Sequence, residues 1–466
     1  MRGWLAWCAV AAAVMMQGSL LEAQSTSLAQ TVKGPDERMK ADILVVVAHP
    51  DDEGGATPYL ARAIYEQHKR VAVVFLTRGG SGGNDYSREH GPALADIREQ
   101  EARTACGKLG ITNVWFLLGQ DTASQNVLNS LANWGHGANL EALVRIVRLI
   151  RPEVIITWLP GVFIGENHGD HQAAGVLATE AFDLAGDPTA FPAQVAGASK
   201  RLEVYLENLT PWQPKKLYYF SDAEDQKQFQ GTGPAYSIKE ISPSQKKSYL
   251  RLALDAALPH LTQFPQAQEF QKMTEEQLKK FLDDPNNLFW PEPMTLTLGK
   301  AAVKTAPTDD VFANLDRPVT ESVARSAVAG RDGSWLALGG PWFYYEAFRH
   351  AHGGSDAWQS AHPPEIGVKA GSTLAIPLII GHLGPASAEI AVTAPAGWKV
   401  ANGQGRTQLP AEERTYLMVE IATPDLTKEQ LAKLPAQEVA VKAALEGKAL
   451  GEVRLKVALK SSALPQ

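Results

Sequence analysis

A five-residue run, Ile43 to Val47 (ILVVV), passes without a break into Ala48-His49-Pro50-Asp51-Asp52-Glu53. A short, continuous, β-branched run reads as a strand buried on both faces, the kind found in parallel sheets, and not as an amphipathic strand. One imidazole and three carboxylates, His49, Asp51, Asp52 and Glu53, leave its carboxyl end. In open α/β sheets that is the end where ligands bind. Val154 to Trp158 (VIITW) is a second strand of the same type, followed after a loop by Asn167-His168-Gly169-Asp170-His171 and a helical run from Gln172 to Ala185. Imidazole and carboxylate ligands suit zinc, and a catalytic zinc keeps three protein ligands and one open position for water. His49, Asp52 and His171 can supply those three, leaving Asp51, His168 and Asp170 for proton traffic. Taken singly these residues have blander readings: Asp51 or Asp52 as a helix N-cap, His171 as a helix-start histidine, His49 as a polar residue at a strand end.

The pattern around the two strands alternates. A helix near Thr57 to His68 is followed by a strand at 71–79 and a glycine-rich loop, Gly79 to Asp85, suited to the rim of a site. A helix from Leu94 to Leu109, a strand Val114 to Leu118, a helix Asn139 to Ile150 and a last strand Leu217 to Phe220 complete the series. Strands and helices at this spacing predict βαβ units with right-handed crossovers. The expected fold is therefore α/β, a Rossmann-like three-layer domain with a mainly parallel sheet. Helices are expected at Pro243 to Leu258 and Thr274 to Leu282. From Glu365 the segments become short, alternating or continuously apolar, and separated by Gly, Pro and polar turns, which predicts a C-terminal all-β sandwich at 365–460.

At 466 residues the chain is too long for one ordinary core and suggests two or three domains. A net charge of -7 argues against nucleic acid or an anionic membrane as the main partner. Residues 1–23 read as a secretory signal: Arg2 supplies charge, Trp4 to Met16 an apolar core too short to span a bilayer, and Leu21-Glu22-Ala23 a cleavage site. A secreted or periplasmic protein is the expectation, with 24–40 as a polar linker. Without the leader Cys106 is the sole cysteine, so stability rests on packing with no internal disulfide. Cys106 itself reads as a buried helix residue.

Ala48-His49-Pro50-Asp51-Asp52-Glu53 and His168-Gly169-Asp170-His171, in this order and each behind a strand, resemble the two signature segments of the PIG-L/LmbE-like zinc-dependent N-deacetylases. The resemblance implies Zn2+ held by His49, Asp52 and His171, with Asp51 as general base on the zinc-bound water. It implies that His168 stabilises the oxyanion or protonates the leaving amine, that Asp170 orients His168 or is only a structural group beside it, and that Arg78 grips the sugar; Asn167, in the same loop as Glu166, is a further candidate contact. His260-Leu261-Thr262-Gln263 and Glu346-Ala347-Phe348-Arg349 resemble later family segments, and Arg98, Glu99 and Glu101 match a common pattern on the family's next helix. These matches put the catalytic domain at 41–352, with an insertion around 264–335 and a linker at 353–364. One departure is Glu166, which stands where some relatives place a tyrosine acid. Thr393 to Val400 resembles the small immunoglobulin-like modules appended to secreted carbohydrate-active enzymes. The implied reaction is removal of acetyl from an N-acetylated amino sugar or glycoconjugate. The alternatives are cleavage of a larger sugar-linked amide, a non-catalytic carbohydrate-binding protein, or a phosphoesterase using the same metal site.

Overall fold

The structure, a computed structural model, describes residues 35–122, 126–161, 168–196, 207–221, 231–284, 290–319, 334–339, 341–352, 365–410 and 414–461. The leader and the loop residues Glu166 and Asn167 lie outside them. No helix among the described residues is long and apolar enough to cross a membrane.

Five parallel strands form the centre: β1 (Ile43–Val47), β2 (Val71–Thr77), β3 (Asn113–Gly119), β4 (Val154–Trp158) and β5 (Lys216–Phe220). They lie in the order β3-β2-β1-β4-β5. The reversal of order falls between β1 and β4, which pair in register from Ile43 opposite Val154 to Val46 opposite Thr157. A crevice opens beyond the carboxyl ends of strands at such a switch point, because the chain leaves the two neighbours toward opposite faces of the sheet. The two histidine-containing segments leave the sheet at that crevice. All five side chains of β1 are fully buried, each stabilising the fold by about 1.5–3 kcal/mol relative to exposure.

Helices cover both faces. On one side a later helix at Tyr249–Ala257 packs against both α1 (Thr57–Tyr65) and α2 (Pro92–Lys108). The group α3 (Val127–Trp134), α4 (His136–Ile150) and α5 (Gly169–Leu184) forms the other set. Helix α5 comes close to β4 because residue 175 is glycine: a Cβ there would lie 2.3 Å from the carbonyl oxygen of Trp158. That close approach sets the depth of the helix's first turn, which carries Asp170 and His171.

Several sequence-based boundaries shift. Helix α5 begins at Gly169, not Gln172, with His168 as its N-cap, because the imidazole accepts a hydrogen bond from an otherwise orphaned backbone amide. The helix expected from Pro243 starts at Tyr249 behind a Ser248 cap. Leu217 to Phe220 is not the last strand. After a short ribbon of β6 (Ala235–Tyr236) and β7 (Met294–Thr295), β8 (Thr297–Ala301) adds an antiparallel edge to β5. The region expected as an insertion thus completes the sheet.

The C-terminal region is built mainly of strands, with one short helix at Lys428–Leu431. It comprises β9 (Trp335–Leu338), β10 (Glu365–Lys369), β11 (Thr373–Gly381), β12 (Ala386–Thr393), β13 (Lys399–Asn402), β14 (Gly405–Leu409), β15 (Arg414–Ala422), β16 (Gln437–Leu445) and β17 (Lys448–Lys460). They form two sheets, β10-β17-β16-β12-β14 and β13-β15-β11-β9. Their alternating apolar residues, among them Leu374, Ile376 and Leu378 from one sheet and Val439, Val441 and Leu455 from the other, share one core. Strand β9 pairs with β11, so the strand-rich unit takes a strand from inside the expected catalytic boundary. Between β9 and β10 a helix, Pro341–Ala351, returns to the α/β core, where Phe348 is buried. Its Phe343 stacks on Trp335 while Tyr345 donates to Gln172 beside His171, so the two units interlock instead of following one another.

Candidate metal centre

The turn after β1 is built around the Asp52 carboxylate. Its Oδ2 accepts from the backbone amides of Ala48 (2.9 Å) and His49 (2.8 Å) and from the indole Nε1 of Trp158 (2.9 Å). Three donors on one oxygen fix the carboxylate and leave Oδ1 facing His171 Nε2 at 3.2 Å. His49 Nδ1 lies 3.6 Å from Asp52 Oδ2. His171 is stacked on the Trp158 ring at 4.1 Å, nearly parallel. Burial would raise the Asp52 carboxyl, but the imidazoles of His171 and His49 hold it well below the usual carboxylate range. Burial would likewise depress His49, yet Asp52, Asp121 and Asp170 hold it well above the ordinary imidazole value.

The donor set fits a divalent cation. Ligand atoms of His49, His168 and His171 lie within 4.8 Å of one another, and so do those of His49, Asp121 and Asp170. His171 is 5% exposed, and its Nδ1 has no hydrogen-bond partner among the described residues. Imidazole with carboxylate is the chemistry of zinc sites, and the His171 nitrogen that faces Asp52 is Nε2, not the unpartnered Nδ1. Of the sequence-derived set, Asp52 lies 3.6 Å from His49 and 3.2 Å from His171, but the two groups among the described residues whose ligand atoms all lie within 4.8 Å of one another take His168 and His171, or Asp121 and Asp170, and not Asp52, as neighbours of His49.

Asp51 stands beside this cluster in an unusual backbone conformation, φ 120° and ψ -26°. Its Oδ1 accepts from Arg98 Nη2 at 2.9 Å, and the same nitrogen donates to the carbonyl of Pro50 at 2.7 Å. Arg98 is buried on α2 and also donates to the Gly79 carbonyl at 2.8 Å. The glycine-rich loop packs on this guanidinium: a Cβ on Gly79 would meet it at 2.5 Å. Burial and the neighbouring Asp52 raise the Asp51 carboxyl above its usual range against the opposing pull of Arg98. A carboxylate raised in this way is a better proton acceptor.

His168 accepts the Asp170 amide at Nδ1, 3.3 Å away, so its ring proton sits on Nε2. Burial and the adjacent His171 and His49 push its pKa down to about 4, which makes it a neutral donor near pH 7. The pairing expected between the Asp170 carboxylate and His168 is not found. That carboxylate accepts from Thr122 N (2.9 Å) and Thr122 Oγ1 (3.0 Å) and lies 3.3 Å from His49 Nε2. The helix N-terminus turns the Asp170 side chain toward the β3 loop while the His168 imidazole caps its amide. Arg78, expected at the sugar, is engaged by Asp96 and Glu99 on α2.

Asp121, which sequence reading passed over, lies with its Oδ1 3.0 Å from His49 Nε2 and accepts from Ser81 N at 2.8 Å. Burial opposes its ionisation, but the His49 contact lowers its pKa to about 2. Its one sequence signal was position, just beyond the carboxyl end of β3. Trp158 was read only as a strand residue. Replacing it with phenylalanine keeps the ring against His171 and removes one of the three donors to Asp52. Trp158→Phe is expected to weaken divalent-metal binding about 10–100-fold, measured by competition with a chelating dye; unchanged affinity would rule out that role for the indole.

Residues 44–182 match the family model described as PIG-L, GlcNAc-PI de-N-acetylase. Over 188 residues the chain is 34% identical to 1D-myo-inositol 2-acetamido-2-deoxy-alpha-D-glucopyranoside deacetylase 1 of Frankia alni, a match covering 37% of this chain and 59% of that protein. An enzyme of the same name without the numeral, from Salinispora arenicola, is 26% identical over 338 residues, 66% of this chain and 98% of that one. Among solved structures, N,N'-diacetylchitobiose deacetylase from Pyrococcus horikoshii aligns at 18% identity and a TM-score of 0.38, covering 59% of this chain and 92% of that one.

Proposed function

We propose that this chain is an exported, zinc-dependent N-deacetylase acting on a glycoconjugate that carries N-acetylglucosamine. The observation that carries the reading is the meeting of His49, Asp52 and His171 at the β1/β4 crevice, with Asp51 held beside them by Arg98. The names of the Frankia alni and Salinispora arenicola relatives, each of which gives a 2-acetamido-2-deoxyglucopyranoside as substrate, support the choice of an acetamido sugar. The apolar leader at residues 1–23 supports export.

When bound by His49, Asp52 and His171, zinc supplies Lewis acidity, polarising the amide carbonyl and lowering the pKa of water toward about 7. Asp51 accepts the proton of the attacking water, and Arg98 keeps its carboxylate aimed. His168 donates its Nε2–H to the carbonyl oxygen as negative charge develops there. The C–N bond then breaks, the proton held by Asp51 passes to the departing amine, and acetate and the free amino sugar are released. Asp170, tied to Thr122, fixes the first turn of α5 and so the placing of both histidines.

The test is acetate release from a panel of N-acetylglucosamine glycosides, glycolipids and peptidoglycan fragments by the zinc-loaded full chain. At least one should yield acetate and free amine in equal amounts. No release from any of them would overturn the reading.

A further inference from the structure

The backbone of Asp51 lies at a positive φ of 120°, a conformation that persists only where its surroundings over-determine it. Arg98 accounts for the side chain. The amide is held separately: Asp51 N donates to Glu53 Oε2 at 3.0 Å, and the other oxygen of Glu53 accepts from His260 Nε2 at 2.7 Å. His260 is 3% exposed and comes from a segment 207 residues downstream. That segment is pinned in turn, because Thr262 donates to both oxygens of Glu101, through its amide at 3.0 Å and its hydroxyl at 2.6 Å. Glu101 and Arg98 sit three residues apart on α2, on one helix face. The contacts close a ring: Asp51, Glu53, His260, Thr262, Glu101, Arg98 and back to Asp51. Asp51, Glu53 and His260 also line one small chamber of about 70 Å³ with Cys106 and Leu60, and His260 Nδ1 has no partner among the described residues.

None of the contacts that His260 and Glu53 make in this ring is to His49, His168, His171 or Asp52, so the ring serves Asp51 and not the metal cluster. Resting on the reading of Asp51 as the base, we propose that Glu53 and His260 are positioning residues that hold the Asp51 backbone in the conformation from which its carboxylate reaches the attacking water. A shift of about 1 Å in a reacting group costs on the order of 100-fold in rate, so loss of this support appears in kcat while KM and metal content stay put.

The experiment compares His260→Ala and His260→Gln in the zinc-loaded full chain. It measures kcat, KM and bound zinc, together with amide hydrogen exchange of the segment 49–54. Expected for His260→Ala are a kcat about 10–100-fold lower, KM and zinc content at wild-type values, and faster exchange at Asp51. His260→Gln, whose amide still donates to Glu53, restores most of both. Unchanged kcat and exchange in His260→Ala, or a loss of kcat that follows a loss of zinc, overturns the proposal. Should His260→Ala fail to fold, Thr262→Val opens the ring at one hydroxyl. It is expected to speed Asp51 exchange and lower kcat, and no change in either is equally fatal. Asp51→Asn separates the two readings: if that variant stays active the base assignment falls, while the exchange data still decide whether the ring holds the backbone.

Discussion

Asp51→Asn is expected to lower kcat by about 1,000-fold, within the range that general-base catalysis supplies, with KM and bound zinc near wild-type values. The substitution isolates the chemistry. Asparagine is among the residues that tolerate positive φ, so the backbone at 120° is preserved. Its side-chain oxygen still accepts from Arg98 Nη2, as Asp51 Oδ1 does at 2.9 Å. What disappears is the ability to take a proton from water. Steady-state kinetics with acetate detection and metal analysis on the same preparation read the result. Full activity with zinc in place would show that another group is the base.

His171→Ala is expected to leave the protein with essentially no bound metal after dialysis and with background activity. The imidazole occupies the centre of the cluster, stacked on Trp158 and 3.2 Å from Asp52 Oδ1, and its loss also leaves the buried Asp52 carboxylate short of a charge partner. His168→Ala is the informative contrast. Its ring centroid lies 4.1 Å from that of His171 and its ligand atom is near those of His49 and His171, so geometry permits either a fourth neighbour or a third ligand. With Asp52 as the third ligand, His168→Ala keeps its zinc and loses about 100- to 1,000-fold in kcat, the cost of one oxyanion donor. Loss of zinc from His168→Ala, with zinc retained by Asp52→Asn, would instead give the ion to three imidazoles.

The inward-facing strands were legible because burial on both faces writes itself as an unbroken apolar run, as in Ile43–Val47 and Val154–Trp158. The two histidine segments were legible because local spacing carries their signal. Asp121 was not, since its position after a strand does not by itself mark a carboxylate whose partner is His49 at the end of another strand. The orientation of Asp170 was misread for a related reason. A sequence places it beside His168, but the geometry of a helix's first turn aims its carboxylate at Thr122 instead.

The sequence by itself determined which residue types arrive at the carboxyl ends of β1 and β4 and that alternating helices and strands give way to a strand-rich stretch, because hydrophobic period and ligand spacing are local properties. Tertiary structure alone decided that Trp158 fixes Asp52, that His260 reaches Glu53 across 207 residues, and that β8 and β9 join sheets distant from them in the chain. Those contacts pair buried polar groups and unpaired strand edges with partners that only the folded chain brings within hydrogen-bonding distance.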